Sequence, residues 1–200
     1  MKDFILAEDK EFYFGDCNYC QAQCCSGIYG SIFSQILLEE FEKVYENFPI
    51  LFIFGDLNYV KPVIILSDGF NYCPYIKDNR CTIYDKRPNV CRNYPLSPNL
   101  DNNIYIDTCC PQINPDDENK TLIIKNNKLS NEYQNDIFET YQERYLETHF
   151  EFDSLKKEDF KEILIIKSMK FYIYDGENNN KYLEYHKQSL VNLNNIFLEK

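Results

Sequence analysis

The chain has 200 residues, 44% of them hydrophobic and 26% charged, with 17 Tyr and 15 Phe but no Trp. That is enough apolar material for a folded core built around rings, and it excludes disorder of the whole chain. The net charge of −11 argues against a nucleic-acid binder, which needs a basic surface facing phosphates.

Taken in chain order, the first expected element is a helix capped by Ser34 and running to about Asn47. Leu37, Leu38, Phe41, Val44, Tyr45 and Phe48 recur at helical spacing, and Pro49 stops it. On it, Glu39 and Glu40 are expected to form a solvated face. Val63–Leu66 reads as a buried strand ending at the Asp68-Gly69 turn. Pro88 suits a first helical turn, so Arg87–Asn93 is expected to be a short helix carrying Cys91. Ile104–Ile106 reads as a short strand. The clearest helix is Tyr133 to Phe150, with Tyr133, Ile137, Phe138, Tyr141, Tyr145 and Phe150 on one face. Lys156–Lys170 fits helix or strand equally. Phe171–Tyr174 and Lys181–Tyr185 suggest a hairpin around Asp175-Gly176, and Ser189–Leu198 looks helical. The class expected is α+β: a cysteine-rich metal-binding core of short helices, strands and loops, with a helix/hairpin C-terminal extension. The polar run from Asn114 to Asn119 divides residues 1–112, the cysteine region, from residues 113–200, an α/β extension packing on it.

The apolar runs Pro49–Phe54, Val63–Leu66 and Ile163–Ile166 fall far short of the ~20 residues that cross a bilayer. The opening MKDFILAEDK lacks the apolar stretch of a secretory leader, so the expected location is cytoplasmic, with no membrane partner.

Nine cysteines, all between positions 17 and 110, carry the chemistry. Their share is below the ~8–10% of disulfide scaffolds and their number is odd, which favours metal ligation or thiol chemistry. A regulatory disulfide in one adjacent or spare pair is the lesser alternative. The first group is Cys17, Cys20, Cys24 and Cys25; the second is Cys73, Cys81, Cys91, Cys109 and Cys110. A C-x2-C step lets two sulfurs face one metal across a tight turn. Adjacent cysteines seldom serve one ion, because successive side chains diverge. They can serve a larger cluster or two sites, or leave one thiol free. The stretch from 61 to 111 is the least acidic, and Lys61, Lys86, Arg87 and Arg92 would offset thiolate charge. Arg87 and Arg92 flank Cys91, and Tyr84 and Tyr94 would pack beside the site and limit water. His149 and His186 lie outside the cysteine half and are expected to be surface or hairpin residues rather than ligands. The donor set is then all sulfur, which suits structural zinc and iron–sulfur alike. The number and spread of the cysteines lean towards a [4Fe–4S] cluster.

The ordered pattern C-x2-C-x3-C-C, then C-P-x6-C-x-I-Y-x2-R-P-x2-C-R-x-Y-P, then Cys109-Cys110 resembles the YkgJ-like cysteine-cluster proteins. The resemblance spans roughly residues 12–112. It implies a zinc- or iron-chelating domain with its usual eight cysteines among these nine. The double Cys109-Cys110 leaves open which of the two is the ligand. Some flagellin lysine methylases carry a similar cluster, so a protein-modifying enzyme is one alternative, and a metal carrier or assembly factor with exchangeable thiols is another. No Gly-rich cofactor loop, G-x-S-x-G or H-E-x-x-H motif specifies a reaction. A protein partner is possible on this reading, but nothing in the sequence names one.

Overall fold

The structure, a computed structural model, describes residues 2–8, 10–17, 20–55, 59–114, 120–178 and 180–197. Its centre is a five-stranded antiparallel sheet. Strands β4 (Ile50–Phe54) and β5 (Val60–Ile65) lie in its middle, with β3 (Phe33–Gln35) at one edge. On the other side come β13 (Met169–Tyr174) and then β12 (Phe160–Ile166). Alternation along the strands divides the core. Ile50, Phe52, Val60, Ile64 and Tyr174 face one way. There they meet Phe41 and Val44 of α1 (Phe41–Val44), Phe152 of α3 (Ile137–Phe152) and Leu183 of α4 (Lys181–Ser189). Leu51, Val63, Ile65 and Phe171 face the other way, against Leu193 and Ile196 of α5 (Leu193–Phe197).

Two smaller sheets complete the fold. One joins β1 (Phe4–Leu6), β9 (Ile104–Asp107) and β8 (Leu96–Pro98). The other joins β2 (Phe12–Phe14), β10 (Thr121–Lys125) and β11 (Lys128–Leu129). Ile106, Ile123 and Ile124 from them pack under Ile137 and Phe138 of α3. Both the central sheet and the β2 sheet pair strands from the two halves of the chain: β13 with β4, and β10 with β2. The α+β class is thus observed. No helix among the described residues is long and apolar enough to cross a membrane.

Several elements differ from expectation. The stretch expected as a helix from Ser34 to Asn47 is strand β3, a 3-10 turn at Leu38–Glu40 and one α-helical turn. Ser34 and Gln35 are drawn into pairing with Ile64 and Val63, which overrides local helix periodicity. Lys156–Lys170 resolves as a 3-10 turn at Lys157–Asp159, strand β12 and the start of β13, the two strands joined tightly at Lys167 and Ser168, both at positive φ. Lys181–Tyr185 is not a hairpin strand but the start of α4. The Asn180 side chain accepts from Leu183 N at 2.9 Å and caps that helix. Of the polar run read as a boundary, residues 115–119 lie outside the described residues, as does Leu198.

Two buried titratable groups also depart from expectation. His186 is fully buried on α4 rather than at the surface. Its Nε2 accepts from Tyr174 N at 3.1 Å, and its Nδ1 bonds Ile50 O at 2.6 Å. Burial holds its pKa down to about 4. Glu40 is not on a solvated face but buried. Its Oε2 accepts from Leu37 N and its Oε1 from Asn89 N, at 3.1 and 2.9 Å. Burial pushes its carboxyl up to about 7. The signs oppose. A depressed His186 contributes stability that is complete above pH 6.5 and is lost as pH falls towards 4. A raised Glu40 adds stability as pH falls from 7 through 4.5. The stability advantage of the native chain over Glu40→Gln is therefore expected to grow on going from about pH 8 to about pH 5. The growth is on the order of 3 kcal/mol in paired urea titrations. An advantage that shrinks on acidification would contradict the assignment.

Candidate metal centre

Four chain segments bring cysteines to one chamber at the rim of the first core. Cys24 and Cys25 lie in a 3-10 turn (Gln23–Cys25) entered through Ala22 at φ 52°, with their sulfurs 3.7 Å apart. Cys73 N donates to Cys25 O at 2.8 Å, which ties the second group to the first. The tie continues through Gly27 N to Asn71 O at 2.8 Å. A Cβ on Gly27 would sit 2.5 Å from Phe70 N, so this approach requires glycine.

Cys81 arrives on a hairpin of β6 (Ile76–Lys77) and β7 (Arg80–Cys81). Its two-residue turn, Asp78-Asn79, has both φ angles positive, as a type I′ turn demands. Cys91 arrives on α2 (Asn89–Asn93), opened by Pro88, whose carbonyl accepts from Cys91 N at 2.9 Å. Asn89 N, in the first turn of α2, is held by the Glu40 carboxylate. Together Cys24, Cys25, Cys73, Cys81 and Cys91 line a chamber of about 70 Å3, with Phe48, Tyr75, Ile76, Ile83 and Val90 among its apolar walls.

The remaining cysteines stand around this chamber. Cys110 is buried and Cys109 exposed. Both follow the fully buried Asp107, whose Oδ1 accepts from Cys109 N and Asp3 N and whose Oδ2 accepts from the Tyr94 hydroxyl at 3.0 Å. Cys17 is exposed and Cys20 half-buried. A Cys24 thiolate is felt by Cys17, Cys91 and Cys110, which places it between the groups. All nine cysteines are free thiols.

Of the four residues expected around the centre, Arg87 and Tyr94 line the chamber. Arg92 does not. It lines a separate cleft with Tyr133 and Phe138, and its Nη2 donates to Asp85 O at 3.3 Å. Tyr84 is exposed and carries the Arg87 guanidinium over its ring at 3.5 Å. His149 faces Asp153 at 4.0 Å and the Tyr59 ring.

Three chamber contributors escaped sequence reading. Lys2 lines the chamber, donates to Ser31 Oγ at 2.9 Å and lies 4.5 Å over the Tyr94 ring. Burial lowers its pKa, while Cys24, Asp107, Cys91 and Cys25 favour its charge. Asp107 and Glu40 are the others, acting as braces rather than walls. No local signal marks any of them. Each earns its role from a partner far along the chain.

The electrostatics of the thiols describe a site that wants a cation. Burial, then the charges of Cys73, Cys24 and Cys81, push Cys91 up to about 12. Burial also pushes Cys110 up to about 11, with Cys20 and Cys24 adding to it. Thiols that hinder one another's ionisation in this way lose their protons when a metal ion takes the electron pairs. Among the described residues, however, no three Cys, His, Asp or Glu side chains converge closely enough to coordinate an ion. The metal-binding core expected from the sequence is therefore not shown by the side-chain positions alone. What the structure holds is five cysteines facing one shared space among largely apolar walls, and a sulfur donor set fits zinc or an iron–sulfur cluster.

A cysteine-lined chamber assembled from C-x2-C-x3-C-C and C-R-x-Y-P segments defines a thiolate metal-chelating class of protein. Residues 16–135 match the CxxCxxCC family, described as "Putative zinc- or iron-chelating domain". The match covers more than half of the chain, and the chain belongs to this family. No curated protein and no solved structure matches it significantly.

Proposed function

We propose that the protein binds metal as an iron–sulfur cluster through clustered cysteine thiolates, with zinc as the alternative occupant. The observation that carries this reading is the chamber itself, walled by Cys24, Cys25, Cys73, Cys81 and Cys91. Its ~70 Å3 is several times the roughly 10–15 Å3 that one water-sized occupant needs on the same measure. That favours a cluster over a bare ion. Four ligands satisfy either a [4Fe–4S] cluster or a zinc ion, so the fifth wall cysteine, Cys24, is available to Cys17, Cys20 and Cys110. Of the final pair, the buried Cys110 is the ligand and the exposed Cys109 the spare. Lys2 and Arg87 supply the charge that offsets the thiolates.

Protein purified without oxygen is expected to be brown, with iron and acid-labile sulfide in equal amounts. A colourless protein with stoichiometric zinc would select zinc, and a metal-free folded protein would refute both. Lys2→Met is expected to weaken metal retention against a chelator by about tenfold, the weight of one nearby charge at intermediate dielectric, with Lys2→Arg restoring it.

A further inference from the structure

Beside the cysteine chamber lies a second cavity, of about 220 Å3. The two share Lys2, Ser31, Val90 and Tyr94 as walls, but Glu40 and Tyr141 line only the second. Each Glu40 carboxylate oxygen accepts a single backbone N–H, from Leu37 or Asn89, and so keeps a lone pair free. Tyr141 projects from α3 close enough for the Glu40 charge to oppose its ionisation, after the larger effect of burial. The Tyr141 hydroxyl has no hydrogen-bond partner among the described residues.

The buried Glu40 carboxylate and the partly buried Tyr141 hydroxyl thus line one cavity, and the cation in its wall, Lys2, is engaged elsewhere. The Lys2 ammonium is held by Ser31 and the Tyr94 ring. The charges that act on Glu40 are those of Glu39 and the exposed Lys43. Arg144 on α3 is engaged with Glu39 at 3.0 Å and Asp136 at 2.6 Å, and α2 contributes only the Asn89 N–H. The unmet requirement is a donor carrying positive charge.

We propose that this cavity binds a small organic amine, whose ammonium group donates to the Glu40 carboxylate and to the Tyr141 phenol oxygen. A hard metal cation is a poorer fit, because one carboxylate and one phenol fall short of the six or more oxygens it takes. An anion would meet the Glu40 charge, and a neutral ligand would leave that charge uncompensated. The volume lies below the ~300–1,000 Å3 of pockets for drug-sized ligands, so the occupant is compact. Its alkyl part would lie on Leu37, Leu96 and Ile137. An ammonium seated there favours the ionised carboxylate, so binding near neutral pH releases protons and strengthens as pH rises through 7.

This inference does not rest on the metal reading, and metal content serves as its control. The purified, metal-loaded chain would be titrated calorimetrically with n-butylamine, 1-butanol and butyrate, probes of one size that differ in charge. Saturable butylamine binding at roughly millimolar Kd is expected, about tenfold tighter than either control, with a heat that depends on the buffer's ionisation enthalpy. Glu40→Gln should abolish it. Because that change also replaces one of the two accepting oxygens with an amide NH2 that faces a backbone N–H, Tyr141→Phe is the second variant: it keeps the ring and should weaken binding about tenfold while leaving metal content unchanged. Equal binding of all three probes, no binding of butylamine, or butylamine binding indifferent to Tyr141→Phe would overturn the proposal.

Discussion

Cys91→Ser is expected to release the metal and bring the protein close to unfolding at physiological temperature. Cys91 enters the chamber on α2 and feels the charges of Cys73, Cys24 and Cys81 at once, so no neighbouring group stands where its sulfur does. A structural thiolate site supplies on the order of 10 kcal/mol, comparable to the stability of a whole domain. Serine keeps the shape and loses the soft ligand. Cys20→Ser and Cys110→Ser should behave alike, with aggregation on purification. Cys109→Ser, at the exposed neighbour, should keep both metal and melting temperature. Normal metal stoichiometry and an unchanged melting temperature in Cys20→Ser and Cys91→Ser would reject thiolate ligation as the organising feature.

Phe52→Ala is expected to destabilise the fold by about 3–5 kcal/mol, the cost of deleting a fully enclosed ring and leaving a cavity. Phe52 is fully buried in the middle of β4. Its ring meets Phe152 of α3 at 5.6 Å, Phe160 of β12 at 5.3 Å and His186 of α4 at 5.0 Å. Three elements from the C-terminal half therefore close on this one side chain. Phe150→Ala, two residues from Phe152 but 67% exposed, should stay within about 0.5 kcal/mol. Urea unfolding of both variants checks the contrast, and equal losses would contradict the placement of the core.

The long helix was legible because aromatic and aliphatic positions from Tyr133 to Tyr145 recur at helical spacing, but Phe150, expected on the same face, is 67% exposed and Phe152 is the buried ring instead. Its observed span, Ile137–Phe152, starts later than expected because Tyr133 falls in a separate 3-10 turn, Asn131–Tyr133. The region from Ser34 to Phe48 misled for the converse reason. Leu37, Phe41, Val44 and Phe48 are all buried, so the spacing correctly marked an inward face. The backbone beneath it was set by β3 pairing with β5, a long-range demand that local spacing does not encode. Glu40 was misread with it, since a carboxylate at a helical position looks solvated until Asn89, from far along the chain, donates to it.

Cysteine spacing and the C-R-x-Y-P segment by themselves determined the family, because such a pattern resides in short stretches where residue type and separation are the whole of the information. The tertiary structure alone decided which five sulfurs share a chamber. It placed Lys2 over Tyr94 and set Asp107 beneath Cys109. It also buried Cys110 rather than its neighbour. Each of those choices joins segments distant in sequence, as Asp3 N joins the Asp107 carboxylate. Their free energy comes from apolar burial in the sheets that carry them, and burial is a property of the packed chain, not of any window along it.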